Sequence, residues 1–450
     1  MSVSLAPRRV AARSTAELAN FISGERYDEL CGSLHALRRA LAGRRFVHIT
    51  GDDQSQGGVV EILRSTLPYF AGAGVDTRWL DVTACASIRP TLEFFHLLGH
   101  GFTAEPRSLD TLPQRRQQWR EFGAAGAEAL DAVLEDDDVV VFHDTQTATM
   151  VGAIPRRHRT IIWRAHIGDT NRCALLREYW ESIVWSISTA TACVFYVPQY
   201  APAGLANVCI QRPSIDPSTA KNRCIERSEA RMYVANRLAC NPCVTQHCGT
   251  VSAVQDDDVV ALQISRWDVL KDMPGVAQAF LELSRCHDDF RGILVGPQPK
   301  SASEFAQLRA CLAKLPADSA DQRVHVLTLA NSGSADHDSA IANLQSGADV
   351  AVQKSLREGF GLTVSEAMLR CVPVVASRTG GLPLQVSHGT TGLLCTPDSL
   401  EEFQQLVAAL VRDSRLRADL GRAAGTFVAD GGLIDRHLAS VARTLTRQLL

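Results

Sequence analysis

Short apolar runs bounded by polar or glycine-containing loops alternate with longer stretches of helical spacing along most of this chain. That is the pattern of βαβ units over a parallel sheet with covering helices. In the first half the runs are Phe46–Thr50, Thr77–Val82, Val139–Thr147, Thr160–Asn171 and Cys193–Val197. In the second half they are Val259–Ser265, Gly292–Pro297, Arg323–Leu329, Asp349–Gln353 and Val372–Ala376. Leu30, Leu34, Leu37 and Leu41 stand near helical spacing and predict a helical lead-in, and the chain closes in helices from Ser399 to Leu450. The fold class is therefore α/β. A length of 450 residues exceeds what one core usually serves, which argues for two domains.

Composition narrows the partners. A hydrophobic content of 46% and a charged content of 21% are ordinary for a globular protein. A net charge of −3 gives no electrostatic case for nucleic acid or an anionic membrane surface. No apolar run is long enough to span a bilayer, and the start MSVSLAPRRVAARS lacks the apolar core of a secretory signal. Thirteen cysteines scattered through apolar segments read as small buried hydrophobes in a reducing compartment, which predicts a cytoplasmic protein.

Candidate chemistry collects at the ends of the apolar runs, where open α/β sheets place their ligands. In the first half, Phe46–Thr50 runs into GDDQSQGG before a helix from Val59, so Gly57 and Gly58 sit in a loop suited to presenting amides. No Gly-Lys-Ser/Thr follows and no Gly-x-Gly-x-x-Gly is present, which excludes a nucleotide P-loop and disfavours a nicotinamide-linked oxidoreductase. Two successive runs deliver His143 and Asp144, then Arg164, His166, Asp169 and Asn171, to one edge. In the second half, Arg266 and Lys271 stand five apart across a strand-to-helix loop and can both reach one anion. Further on, Glu358 and Glu366 frame Gly359-Phe360-Gly361 and the helix opening at Leu362 and Thr363, and Gly380-Gly381 closes the next turn. A backbone without Cβ lets a ligand approach, and free amides at a helix start favour a phosphate.

Two clusters invite a metal. The runs Asp136–Asp138 and Asp256–Asp258 each precede an apolar strand and read as solvated turns, although an Asp-x-Asp site is the alternative for the first. Cys240, Cys243, His247 and Cys248 suggest zinc by their C-x-x-C, but adjacent His247 and Cys248 strain a tetrahedral site; incidental cysteines are the default reading. No metal site is assigned.

The string VQKSLREGFGLTVSEAM, with its Glu-x7-Glu spacing, Pro-Val-Val strand and Gly-Gly turn, resembles the signature of retaining glycosyltransferases of family 4, and is closest to the branch of trehalose glycosyltransferring synthases. The segments HD-x-Q and W-R-x-H-I, and the S-R-x-x-x-x-K setting of Arg266 and Lys271, resemble the same branch. The resemblance covers about residues 46 to 450 and implies two Rossmann-like domains facing across a cleft, the GT-B architecture. It divides the chain into a helical lead-in (1–45), an acceptor domain (46–217), a linker (218–255), a nucleotide-sugar donor domain (256–425) and a C-terminal helix returning to the first domain (426–450).

By position, the resemblance puts Gly57, Gly58, Arg266, Lys271, Glu358, Gly359, Phe360, Gly361, Leu362, Thr363 and Glu366 at the donor. Glu358 would contact the donor sugar and Glu366 the ribose. His143, Asp144, Gln146, Arg164 and His166 would border the acceptor, and His166, Glu358, Arg266 and Lys271 would be catalytic. The implied reaction moves glucose from UDP-, ADP- or GDP-glucose to free glucose with retention, giving α,α-trehalose, and requires no cofactor. Another small soluble acceptor, such as a sugar phosphate, cyclitol or natural-product alcohol, is the rival reading; a non-catalytic sugar-nucleotide sensor is a third. The expected partners are thus a nucleotide sugar and a small acceptor, with no nucleic acid and no membrane span, and a homodimer remains open.

Overall fold

The structure, a computed structural model, describes residues 3–51, 58–103, 106–170, 173–248, 254–316, 323–330 and 334–449. The chain divides into two compact units, Met1–Ser214 with Ile434–Leu450, and Ile215–Leu433. Each unit is built on a seven-stranded sheet.

The first sheet contains β1 (Val3–Arg8), β2 (Phe46–Gly51), β3 (Thr77–Ala84), β4 (Val139–His143), β5 (Thr160–Arg164), β6 (Ala192–Phe195) and β7 (Val208–Ile210). Their order is β1-β3-β2-β4-β5-β6-β7, parallel except for β1. Every residue of β2, β4 and β6 is buried, which is why these strands read as continuous apolar runs: helices cover both faces of the sheet. One cover is made by the helices Gly24–Ala40 and Ile434–Leu449, whose Leu30, Leu34, Leu37, Leu438 and Leu445 share a core with Val139, Val141 and Ile162. Arg26 clamps these two helices, gripping both oxygens of Asp435 at 2.8 and 2.9 Å.

The lead-in differs from the sequence expectation at its start. Val3–Arg8 is an edge strand, antiparallel to β3 with Val3 opposite Ala84 and Arg8 opposite Trp79. An edge strand covered on one side needs little apolar sequence, so VSLAPR carries no periodic signal. Arg8 lies over the Trp79 ring and pairs with the buried Asp81, which fixes the register.

The second sheet contains β8 (Val244–Cys248), β9 (Val259–Ile264), β10 (Phe290–Pro297), β11 (Val324–Leu329), β12 (Val350–Gln353), β13 (Val374–Ser377) and β14 (Leu393–Cys395). The order β14-β13-β12-β9-β10-β11-β8 is parallel except for β8. The stretch 218–255 thus contributes to the second unit: the helix Arg227–Asn236 packs on the helix Ala335–Gly347, and β8 closes the sheet edge. His247 in β8 reaches Thr328 Oγ1 at 2.9 Å, Cys243 reaches Ser334 Oγ at 3.5 Å, and Cys248 packs against the core. These residues serve an edge strand. Among the described residues, the one His/Cys/Asp/Glu group close enough to hold a metal is Glu135, Asp137 and Asp138, where Asp138 is already held by Arg45 at 2.6 Å. All thirteen cysteines are free, and among the described residues no helix is long and apolar enough to cross a membrane.

Candidate active site

In the second unit, β9 and β12 lie side by side, so the loops leaving their carboxyl ends converge. After β9, Ser265 to Asp268 turn into a short 3-10 helix, Val269–Lys271, opened by Asp268 accepting from Leu270 N at 2.9 Å. Trp267 anchors this loop in the core and donates its indole N–H to Pro297 O at 2.8 Å. Lys271 is thereby turned inward, and its Nζ stands 2.7 Å from Glu358 Oε1. Arg266, half exposed, stands 3.3 Å from Asp268.

Glu358 is itself buried and accepts two more hydrogen bonds on Oε2, from Gln353 Nε2 and Ser355 Oγ, each at 3.1 Å. Gln353, the last residue of β12, is the hub of this cluster. Its amide also reaches Ser265 Oγ at 3.2 Å, and its carbonyl accepts from Thr363 Oγ1 at 3.0 Å. Two loops and a helix start are tied by one side chain. Lys271, Gln353 and Ser355 therefore hold the Glu358 carboxyl in one orientation.

The glycines have distinct reasons. Gly361 takes φ +84° and ends the loop just before the helix Leu362–Leu369, whose first amides no capping side chain satisfies. Gly380, at φ +54°, lies so close to the loop that a Cβ there would stand 1.6 Å from Glu358 O. Gly381 N donates to Gly359 O at 3.0 Å, and Gln385 braces the same loop through Phe360 O and Gly361 O. The Gly-Gly turn is the floor on which the glutamate loop rests.

Glu366, within that helix, is 3% exposed and held by Lys221 Nζ at 2.8 Å and Gln345 Nε2 at 3.0 Å. Burial pushes its carboxyl upward, but the Lys221 charge and the hydrogen bonds more than offset this and hold it below the usual carboxylate range. Nearby, the buried Lys354 pairs with Asp272 and donates to Pro397 O at 3.2 Å.

In the first unit, the residues predicted at the sheet edge meet in a buried polar layer. His143 ends β4, and its ring bridges two others: Nε2 lies 2.9 Å from His48 Nδ1, and Nδ1 lies 2.9 Å from His166 Nε2. His166 Nδ1 continues to Tyr196 OH at 2.8 Å. A neutral imidazole has one N–H and one acceptor nitrogen, so the links in such a chain all run in one direction. Both His166 nitrogens are engaged, and a sugar hydroxyl reaching the ring would have to displace one of these partners. Burial, reinforced by Arg164, lowers His48 to about 3, and burial lowers His143 and His166 well below the ordinary histidine range. All three are neutral near pH 7.

Arg164 is 6% exposed; its Nη1 lies 3.3 Å from His437 Nε2, while Nε and Nη2 have no hydrogen-bond partner among the described residues. Donation from Arg164 sets the His437 tautomer, leaving Nδ1–H to donate to Arg212 O at 2.8 Å. Asp144 sits at φ +65°, where its carboxylate accepts from His166 N at 3.3 Å and its carbonyl from Trp163 Nε1 at 3.1 Å. Gln146 packs against Gly51, where a Cβ would stand 2.3 Å from Gln146 Cβ, and its buried Oε1 has no partner among the described residues. Gly58 opens the helix Gly58–Gly72 at the surface. Gly57 and Asn171 lie outside the described residues.

The structure brings Glu358 together with Lys271 in the second unit and His143 together with His166 in the first, and it adds His48, Tyr196, Lys221, Gln345 and Gln353, which the sequence pattern did not single out. His48 lies inside an apolar run, and Tyr196, Lys221 and Gln345 act on partners that only the fold brings near. The polar Gln353 at the end of an otherwise apolar VAVQ was the one available signal.

Residues 250–426 match the family described as glycosyl transferases group 1, and residues 52–202 match the trehalose synthase N-terminal domain. The chain is 29% identical over 427 residues to a trehalose synthase of Rubrobacter xylanophilus, covering 94% of each chain. It is 27% identical over 420 residues to a trehalose synthase of Thermococcus litoralis, covering 91% of this chain and 92% of that one. Among solved structures, an α,α-trehalose-phosphate synthase (UDP-forming) from Burkholderia xenovorans, in complex with glucose-6-phosphate, has a TM-score of 0.65 at 12% identity, with 91% of this chain and 100% of that chain covered. The two-domain α/β architecture is that of the GT-B glycosyltransferases, and the chain is a glycosyltransferase. It combines a group 1 glycosyltransferase domain with a trehalose synthase N-terminal domain.

Proposed function

We propose that the chain transfers glucose from UDP-, ADP- or GDP-glucose to free glucose, with retention at the anomeric carbon, giving α,α-trehalose. The observation that carries this reading is the Glu358 carboxylate, held at the glycine loop by Lys271, Gln353 and Ser355 beside an uncapped helix start. The trehalose synthases that match this chain almost end to end support the choice of product.

The chemistry follows from what each group can give. A leaving diphosphate needs positive charge and N–H donors; Lys271, Arg266 and the amides after Gly361 provide them, and such preorganised donors are generally the largest catalytic contribution. A carboxylate has about four lone-pair positions, and Glu358 has three in use, so one on Oε1 is left for a donor-sugar hydroxyl. Glu366 receives the ribose. In the first unit, His143, Asp144, Gln146, Arg164 and His166 border the acceptor, and Gln146 Oε1, which has no partner among the described residues, suits a sugar hydroxyl. Retention follows if the acceptor attacks on the face that the diphosphate leaves, with a phosphate oxygen as base. Lysine and arginine neutralise the leaving group, so no metal or cofactor is needed. Thirteen free cysteines support a cytoplasmic setting.

The test is release of nucleoside diphosphate from each of the three donors in the presence of glucose, glucose 6-phosphate or a cyclitol. Glucose-dependent release is the expected result. Release only with another acceptor keeps the donor site and removes trehalose as product; binding without release in every case points to a sensor.

A further inference from the structure

Lys221 has no counterpart in the sequence motifs, yet it makes the shorter of the two contacts to Glu366, 2.8 Å against 3.0 Å for Gln345. It belongs to the turn Ala220–Asn222, six residues past the point where the chain enters the second unit. A lysine on such a segment loses much side-chain entropy when held in one place, so something must hold it.

That holder is Arg370, one turn beyond Glu366. Its Nη1 donates to Glu366 O at 2.7 Å, its Nη2 to Lys221 O at 2.6 Å and Arg223 O at 3.3 Å, and its Nε to Ser346 Oγ at 3.2 Å. Ser346 Oγ also accepts from Ile225 N at 3.3 Å. A planar guanidinium with fixed donor directions therefore fastens both ends of the 221–225 strap to the helix that carries Glu366. The ammonium is placed on Glu366 Oε1 by backbone anchoring.

Gln345 adds an independent observation. Glu366 can only accept, so the Gln345 amide must turn its NH2 toward it, and this leaves Gln345 Oε1 beside the carboxylate. That oxygen is buried and has no hydrogen-bond partner among the described residues, in a residue 2% exposed. An orphaned buried acceptor next to a half-used carboxylate is matched by a ligand with two adjacent hydroxyls.

We propose that Lys221, positioned by Arg370, and Gln345 determine the specificity of Glu366 for a ribose diol. Lys221 fixes Glu366 Oε1 and keeps the group ionised. The remaining carboxylate lone pairs take one ribose hydroxyl, and Gln345 Oε1 accepts the other. The assignment rests on the reading of Glu366 as the ribose residue of a nucleotide-sugar donor. Lys221 and Gln345 act on discrimination, and the sugar-transfer step is left to Glu358 and Lys271.

The test is calorimetric binding of UDP, ADP and GDP and of their 2′-deoxy analogues, with kcat and KM for the matching nucleoside diphosphate glucose. The wild type should bind one ribonucleotide about tenfold or more tightly than its deoxy analogue, the size of a hydrogen bond to a charged group. Lys221→Met and Gln345→Met should each weaken ribonucleotide binding by about tenfold, raise KM in step, change kcat by less than about threefold, and erase most of the ribo-over-deoxy preference. Lys221→Arg should restore part of it. If Lys221→Met does not fold, Lys221→Gln, which keeps a neutral donor on Glu366, should show the same loss of preference. Folded variants that discriminate as the wild type does overturn the assignment alone. A wild type that binds none of the three diphosphates overturns the nucleotide-sugar reading and the assignment with it.

Discussion

Lys271 Nζ and Glu358 Oε1, 87 positions apart in the chain, meet at 2.7 Å with both side chains nearly excluded from solvent. Removing one partner of a buried pair leaves an uncompensated charge, which costs about 3 kcal/mol or more. Lys271→Met is therefore expected to lower stability by that amount and transfer by more than about tenfold. Glu358→Gln should lower transfer equally with a smaller stability loss. Adding Glu358→Gln to Lys271→Met should recover stability but not activity, a combination that denaturant melts and initial rates can check together.

Gly380 carries a backbone requirement, because a Cβ there meets Glu358 O at 1.6 Å. Gly380→Ala should displace the glutamate loop and reduce transfer by more than about tenfold, with a stability loss of about 1–3 kcal/mol. Gly389→Ala is the control: Gly389 also has positive φ, but open space surrounds its Cβ position. It should leave transfer within about twofold, since only the φ strain is added.

The imidazole chain predicts a graded effect. Tyr196→Phe removes the partner of His166 Nδ1 and leaves a buried nitrogen unsatisfied, costing about 1–3 kcal/mol. His166→Ala should impair turnover more than nucleotide binding, measured as kcat against the Kd of the diphosphate. An unchanged kcat in a folded His166→Ala protein would remove this residue from the site.

Acid sensitivity follows from buried neutral histidines. His325 in β11 is fully buried, neither ring nitrogen has a partner among the described residues, and burial, aided by Arg291, lowers it to about 4. The unfolded chain binds this proton near pH 6.5 and the folded chain only near 4, so the stability it contributes is complete above 6.5 and is lost as pH falls through that window. The slope is about 1.4 kcal/mol per pH unit for each such histidine. His48 and His437, each lowered to about 3 by burial and then by Arg164, extend the loss further down. His325→Leu should flatten the stability profile between pH 6.5 and 4 by about one histidine's share, read from melts across that range.

Much of the glutamate loop was legible because Glu358, the glycines and Glu366 lie within one string, where local spacing already brings them together. The βαβ alternation was legible for a similar reason: strands covered on both faces must be apolar along their whole length. Strand Val3–Arg8 was not, since an edge strand needs few apolar residues, and the 218–255 stretch hid β8 behind a cysteine pattern that imitates a zinc site. Lys221, Gln345 and His48 were invisible for a deeper reason. Their partners Glu366 and His143 lie far away in the chain, and nothing in a lysine's own neighbourhood says which carboxylate it will meet.

The most direct test of the central claim is the NMR spectrum of the product formed from nucleoside diphosphate glucose and carbon-13-labelled glucose. The expected product is a disaccharide with the label in one ring only and the single α-anomeric environment of α,α-trehalose. A β-linkage, a different acceptor carbon, or labelled glucose recovered unchanged while donor is consumed would contradict it.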